Sequence, residues 1–194
     1  MIHFRRSKLV QLRLISFAKD KTGSAAVEFA LVGSLFLTLL LGHVEVGYLL
    51  FLQHRLDDAT IAASRSIMLG VSQRASDDTV EKFKTNRICP ALRPFFDCSR
   101  LIVEGGILPD SAPAFDADTW KRRAVGSQSS GQYCLGATGQ YMFLRVSYPQ
   151  RPIVGQILPA GMFSTYGGER VTMLTSYAAW RNEPVEAKKT GPCQ

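Results

Sequence analysis

The sequence predicts an α+β protein: one long N-terminal helix that crosses a membrane and runs on into a small domain built on an antiparallel sheet. Three observations carry this. From Ser24 to His54 there is no Lys or Arg at all. Helical spacing of apolar residues then continues past that stretch, and beyond Cys98 the pattern changes to runs of β-branched and aromatic residues bounded by Gly or Pro. With 194 residues, 46% of them hydrophobic, the chain has material for one ordinary domain plus a membrane segment, but not for two full domains.

The first 23 residues carry Arg5, Arg6, Lys8, Arg13, Lys19 and Lys21 against one acid, Asp20, and so supply +5 of the net +7. The remainder is nearly neutral, which removes the usual ground for nucleic-acid binding and makes the charge a matter of topology. From Phe29 to Leu52 the chain is apolar apart from small and hydroxyl residues, His43 and Glu45. About 20 helical residues cross a hydrocarbon core of roughly 30 Å. The run is longer than the core of a secretory signal, and its small residues Gly23, Ser24, Ala25 and Ala26 precede it rather than follow it. A core helix of this length would carry a charged face. The positive-inside rule keeps the basic leader in the cytoplasm and sends the rest out. The expected organisation is a leader over 1–23, a membrane helix over 24–54 and an extracytoplasmic domain over 55–194.

In the segment 53–70, Leu56, Ala59, Ala63 and Ile67 keep helical spacing, so the first helix is expected to reach about Leu69, with Gly70 as its C-terminal cap. A second helix is predicted from about Asp77 to Arg87, with Ser76 as N-cap, Asp77 and Asp78 in the first turn, and Val80, Phe83 and Arg87/Ile88 on one side. Strands are predicted at 100–105, 141–148 and 170–180. Between them, 106–139 contains Pro109, Pro113, Gly126 and the run GSQSSG, and reads as a long surface loop.

All four cysteines, Cys89, Cys98, Cys134 and Cys193, follow the membrane run, and an oxidising compartment would pair them. Cys89 and Cys98 flank PALRPFFD, whose two prolines favour a compact turn. Cys134 precedes one strand and Cys193 follows another; if the two pair antiparallel, the start of one lies beside the end of the other. The expected bridges are Cys89–Cys98 and Cys134–Cys193, each contributing roughly 2 to 4 kcal/mol. The three histidines, His3, His43 and His54, all fall at or before the end of the membrane segment. No Cys/His metal site and no Ser/His or Cys/His catalytic pair can therefore be assembled within 55–194 of one chain. Acids such as Asp97, Glu104, Asp110, Asp116 and Asp118 fall in no motif that would order them for hydrolysis. No cofactor, metal or catalytic residue is expected.

A carboxylate at Glu28, at the head of the apolar run, costs up to about 2.5 to 3.5 kcal/mol at a bilayer centre and less at the interface, so it calls for a partner or a headgroup position. Cleavage between Gly23 and Ser24 would make Glu28 the fifth residue of the mature chain and create an ammonium at Ser24 that a neighbouring subunit could present to it. Ala26, Ala30, Ser34, Thr38 and Gly42 recur at i+4 and form a ridge of small residues suited to close helix packing. Glu45 lies about 25 Å along the helix from Glu28, which puts it with His43 at the outer boundary, either solvated or in contact with a neighbouring subunit. The run KRR at 121–123 reads as a solvated face rather than a basic docking patch, and Phe115 and Trp120 as a cover for the sheet rather than a contact with partner subunits.

The stretch GSAAVEFALV (23–32), with basic residues upstream and an apolar helix downstream, resembles the processing region of class III prepilins. Together with LLLGHVEVGYLL, ATIAASRSIMLG and the closing SYAAWRNEP, it is similar to the TadE-like minor pseudopilins of tight-adherence (Flp) pilus systems. Gly33 and Ser34 stand where many of those proteins carry a proline. The resemblance implies a non-catalytic component needed for pilus assembly, cut by a prepilin peptidase that recognises Gly23, Ser24, Glu28 and Phe29. It implies a place in a bacterial inner membrane with the C-terminal domain periplasmic or incorporated in the pilus. The implied partners are that peptidase, other minor pseudopilins, the major pilin, the inner-membrane assembly platform and the lipid bilayer. The competing reading is an uncleaved bitopic anchor for an extracytoplasmic binding or sensor module, although about 23 residues inside are too few for an output domain.

Overall fold

The computed structural model describes residues 23–108, 133–153 and 163–184. The chain divides into two compact units at Val44/Glu45. Helix α1 (Ser24–Met68) is 45 residues long and passes through Gly33 and Ser34 as regular α-helix. Three of its polar side chains within the apolar run pair with the helix's own backbone. Ser34 Oγ donates to the Leu31 carbonyl at 2.9 Å, Thr38 Oγ1 to the Ser34 carbonyl at 2.8 Å, and His43 Nδ1 lies 2.7 Å from the Leu39 carbonyl. Such internal pairing is what a helix surrounded by hydrocarbon requires. The helix ends as expected: Gly70 takes the left-handed conformation (φ 71°), and its N–H donates to the Ile67 carbonyl at 2.9 Å.

In the second unit, Leu52, Leu56, Ala59, Ala63 and Ile67 form one buried stripe of α1, three or four residues apart as a single helix face demands. The stripe shares a core with Leu144, Val146 and Tyr148 of β2 (Tyr141–Gln150), Val103 of β1 (Ile102–Ile107) and Leu174 of β4 (Glu169–Arg181). With β3 (Ser164–Tyr166) these make an antiparallel sheet of order β1-β2-β4-β3. The antiparallel pairing of 141–148 with 170–180 is as the sequence predicts, with Tyr141 opposite Arg181. Phe143, Arg145 and Ser147, on the other face of β2, are buried too, so the central strand is covered on both sides.

Three expectations need correction. The second helix starts later: after a short α2 (Val71–Arg74), the N-cap is Thr79, whose Oγ1 accepts the Lys82 N–H at 3.3 Å, leading α3 (Val80–Phe83), a π-helical turn (Lys84–Ile88) and α4 (Cys89–Leu92). Ser76 instead occupies a left-handed turn (φ 56°), because the Asp77 carboxylate is drawn inward to residues nine and ten positions ahead. The loop set at 106–139 gives way to strand at its near end, and at its far end 133–140 stays outside helix and strand but is partly buried. Gly106 and Ile107 belong to β1, and at the far end Cys134 N–H donates to the Gly105 carbonyl at 3.2 Å while Leu135 is buried. Finally, β3 was not anticipated. It joins β4 through Gly167 (φ 58°) and Gly168 (φ 80°), the two-residue hairpin loop in which both positions need positive φ.

Candidate processing site and assembly helix

The expected processing residues lie together at the head of α1. Gly23 is exposed, and among the described residues none beyond its chain neighbours comes within 4 Å of where a Cβ would be. One turn on, Ser24 Oγ donates to Glu28 Oε1 at 3.1 Å. The hydroxyl is the polar partner that a carboxylate at the edge of an apolar run calls for, and it ties Glu28 to the residue at the expected scissile bond. Phe29 beside it is 80% exposed.

From Val27 to Val44 the large apolar side chains, among them Leu31, Val32, Leu35, Phe36 and Leu40, are about half to four-fifths exposed. α1 is long and apolar enough to cross a membrane, and none of its most apolar window is buried by the rest of the chain. A core helix would be buried; this one offers its surface to lipid or to other chains. The protein is membrane-anchored through it. The ridge residues Ala26, Ala30, Ser34, Thr38 and Gly42 all lie on this exposed stretch. At 100° per residue each i+4 step advances about 40°, so the ridge winds around the helix instead of marking one straight seam.

Glu45 is not simply solvated. Its Oε1 accepts the Ile153 N–H at 2.8 Å, fixing a distant backbone segment to the first residue of the second unit. Of the acids considered for catalysis, Asp97 caps a 3₁₀ turn by accepting from Ser99 N–H at 2.9 Å and Ser99 Oγ at 2.7 Å, and the Ser99 side-chain bond lowers its pKa. Glu104 forms an ion pair with the buried Arg145. Asp110, Asp116, Asp118, Phe115, Trp120 and the 121–123 run lie outside the described residues. Among the described residues no cluster of His, Cys, Asp or Glu is suited to a metal.

The Cys89–Cys98 bridge forms, with Cα atoms 6.0 Å apart. Cys134 is disulfide-bonded as well; Cys193, its expected partner, lies outside the described residues. One important polar residue was missed. Asp77 is completely buried; its Oδ2 accepts Arg87 Nε at 2.7 Å and its Oδ1 accepts Asn86 Nδ2 at 2.7 Å. Its carbonyl accepts the Tyr133 hydroxyl at 3.1 Å, and burial first, then the Asp77 charge, pushes that phenol well above its ordinary range. With both carboxylate oxygens held and no exposed surface, Asp77 is a clamp, not a reagent. Nothing in the sequence separates it from its neighbour Asp78, which is exposed and bound to Lys82 at 2.7 Å.

The family model described as TadE-like protein matches residues 23–65. The match opens on Gly23 and stays within that glycine and helix α1, the segment in which the sequence resemblance is densest. No curated protein and no solved structure matches the chain.

Proposed function

We propose that the chain is a TadE-like minor pseudopilin of a tight-adherence pilus system, a non-catalytic assembly component processed by a prepilin peptidase between Gly23 and Ser24. The observation that carries this is a coincidence of boundaries: the TadE-like match begins on Gly23, the helix begins on Ser24, and the basic leader ends just before both. The 21 residues from Ser24 to Val44 rise about 31 Å as a helix, the thickness of a hydrocarbon core. Cleavage would leave Glu28 four residues from a new ammonium, and a neighbour's ammonium would neutralise it as subunits register. The small residues Ala26, Ala30, Ser34, Thr38 and Gly42 supply close helix contact with other pseudopilins or the major pilin. The leader stays in the cytoplasm and the second unit is periplasmic, held at the inner-membrane assembly platform or built into the pilus.

The test is the N-terminal mass of the protein recovered from membranes. A terminus at Ser24 is the expected outcome, and an intact Met1 would favour the uncleaved bitopic anchor. Gly23→Leu is expected to leave the precursor uncut. Glu28→Ala is expected to be cut yet fail to assemble, and normal assembly of that variant would remove the register role. A reporter that works only outside the cytoplasm is expected to be active when fused after Gln194.

A further inference from the structure

Within the second unit, the sheet is open along one side of β4. β3 pairs only with Glu169, Arg170 and Val171, so among the described residues no strand lies beside 172–181 on the side away from β2. One bond fixes the backbone directions there. Leu108 N–H donates to the Tyr141 carbonyl at 2.8 Å, so Tyr141 aims its backbone at β1, and Arg181, directly opposite Tyr141, aims its own away from β2. Thr175, Tyr177 and Ala179 share that parity. Gln53 Nε2 donates to the Thr175 carbonyl at 3.1 Å and closes the edge at that point. From Tyr177 to Arg181 the outward N–H and C=O groups have no strand beside them among the described residues. The stretch from Thr172 to Trp180 also carries no charge and no proline, and its register with β2 runs without a bulge. Lacking these protections, the edge is a template for a further strand.

The side chains of the stretch identify the strand that fits. Antiparallel pairing of two copies about Ala179 sets Tyr177 opposite the partner's Arg181 and Ala178 opposite the partner's Trp180, and twofold symmetry repeats both pairs at the other end. Directly opposite residues share a face of the sheet. On the face away from α1, Tyr177 is 41% exposed, and the Arg181 guanidinium stands over the Tyr141 ring, 5.5 Å from its centroid. The pairing offers that cation a second ring. On the other face, the small Ala178 leaves room for an indole. The one charge in the stretch, Arg181, meets a ring and not a like charge. This register also spares the Gln53 bond, whereas pairing about Tyr177 would set Thr175 against the partner's Ala179 and break it.

We infer that two copies of this chain join through β4, edge to edge and antiparallel about Ala179, so that their sheets become one across a twofold axis. The inference uses only the second unit and stands apart from the processing reading.

The experiment is a pulsed electron paramagnetic resonance distance measurement on the full chain in detergent micelles, with a nitroxide amino acid at position 183. Glu183 is exposed, and its distance past Ala179 puts the two labels of a pair roughly 27 Å apart along the strand direction. One narrow distance of that order is expected. Ala179 is exposed, so Ala179→Lys leaves the domain folded, as its near-ultraviolet circular dichroism is expected to show, while setting like charges against each other on the axis. The distance is expected to vanish in Ala179→Lys and in Ala179→Glu and to return when the two variants are mixed. A distance that persists in Ala179→Lys shows that copies meet elsewhere, and overturns the inference. Failure of the folded variants to recover the distance on mixing overturns the Ala179 register. A wild-type chain that stays single overturns the pairing and leaves the edge to a strand of another protein.

Discussion

The two halves of helix α1 are both rich in Ala, Leu and small residues, and they have opposite fates. From Ser24 to Val44 every described residue is exposed or only partly covered. From Glu45 to Met68 a stripe from Leu52 to Ile67 is sealed against the sheet. The contrast teaches that apolar composition fixes only that a surface leaves water. Whether it does so inside the chain depends on periodicity: the second half interleaves its stripe with Gln53, His54, Asp57 and Asp58 and so has one face for a core, whereas the first half is apolar all round and no single sheet could cover it.

The largest expected effect tests that contrast directly. Leu56→Ala, in the sealed half, is expected to cost about 2 to 5 kcal/mol, read as thermal unfolding of the domain in detergent by near-ultraviolet circular dichroism. Leu35→Ala, the same chemistry in the exposed half, is expected to change it by no more than about 0.5 kcal/mol. Equal losses would show that the first half is packed within the chain and break the comparison.

Asp77→Ala comes next. It leaves the Arg87 and Asn86 donors without their carboxylate, for an expected loss of about 2 kcal/mol, the scale of hydrogen bonds to a charged group. Unchanged unfolding would show that the clamp contributes nothing to the domain on which the sealed half depends.

The Tyr133 phenol supplies a smaller, pH-dependent effect. Its pKa is raised in the folded state by burial and then by Asp77, so the stability it confers is complete below the ordinary value of about 10 and is lost as pH rises beyond it. Melting temperature is expected to fall on the alkaline side, and Tyr133→Phe to flatten that fall. A slope identical in the variant would exclude Tyr133 as its source. The smallest effect is on the acid side: Asp78 is held below its ordinary value chiefly by the Lys82 hydrogen bond, and such stability is lost as pH falls through the lowered pKa. Because the group is exposed, Lys82→Ala is expected to leave the melting temperature at neutral pH unchanged within error.

The sequence by itself determined the features written in short-range pattern. The long helix and its glycine stop, the central strands and their antiparallel sense, and the Cys89–Cys98 loop all follow from spacing, capping chemistry and prolines a few residues apart. The place of Gly23 at the head of the helix, with Glu28 one turn in and bonded to Ser24, is legible for the same reason. Even β3 has a local signal, Gly167–Gly168 between two extended runs. Only the tertiary structure decided that Asp77 and not Asp78 goes inside, that Thr79 displaces Ser76 as the cap, and that Glu45 receives Ile153 from 108 residues away. Those choices depend on which groups the fold brings within hydrogen-bond reach. A buried carboxylate is tolerated only where donors already converge on it, and that convergence is a property of the packed chain, not of any window along it.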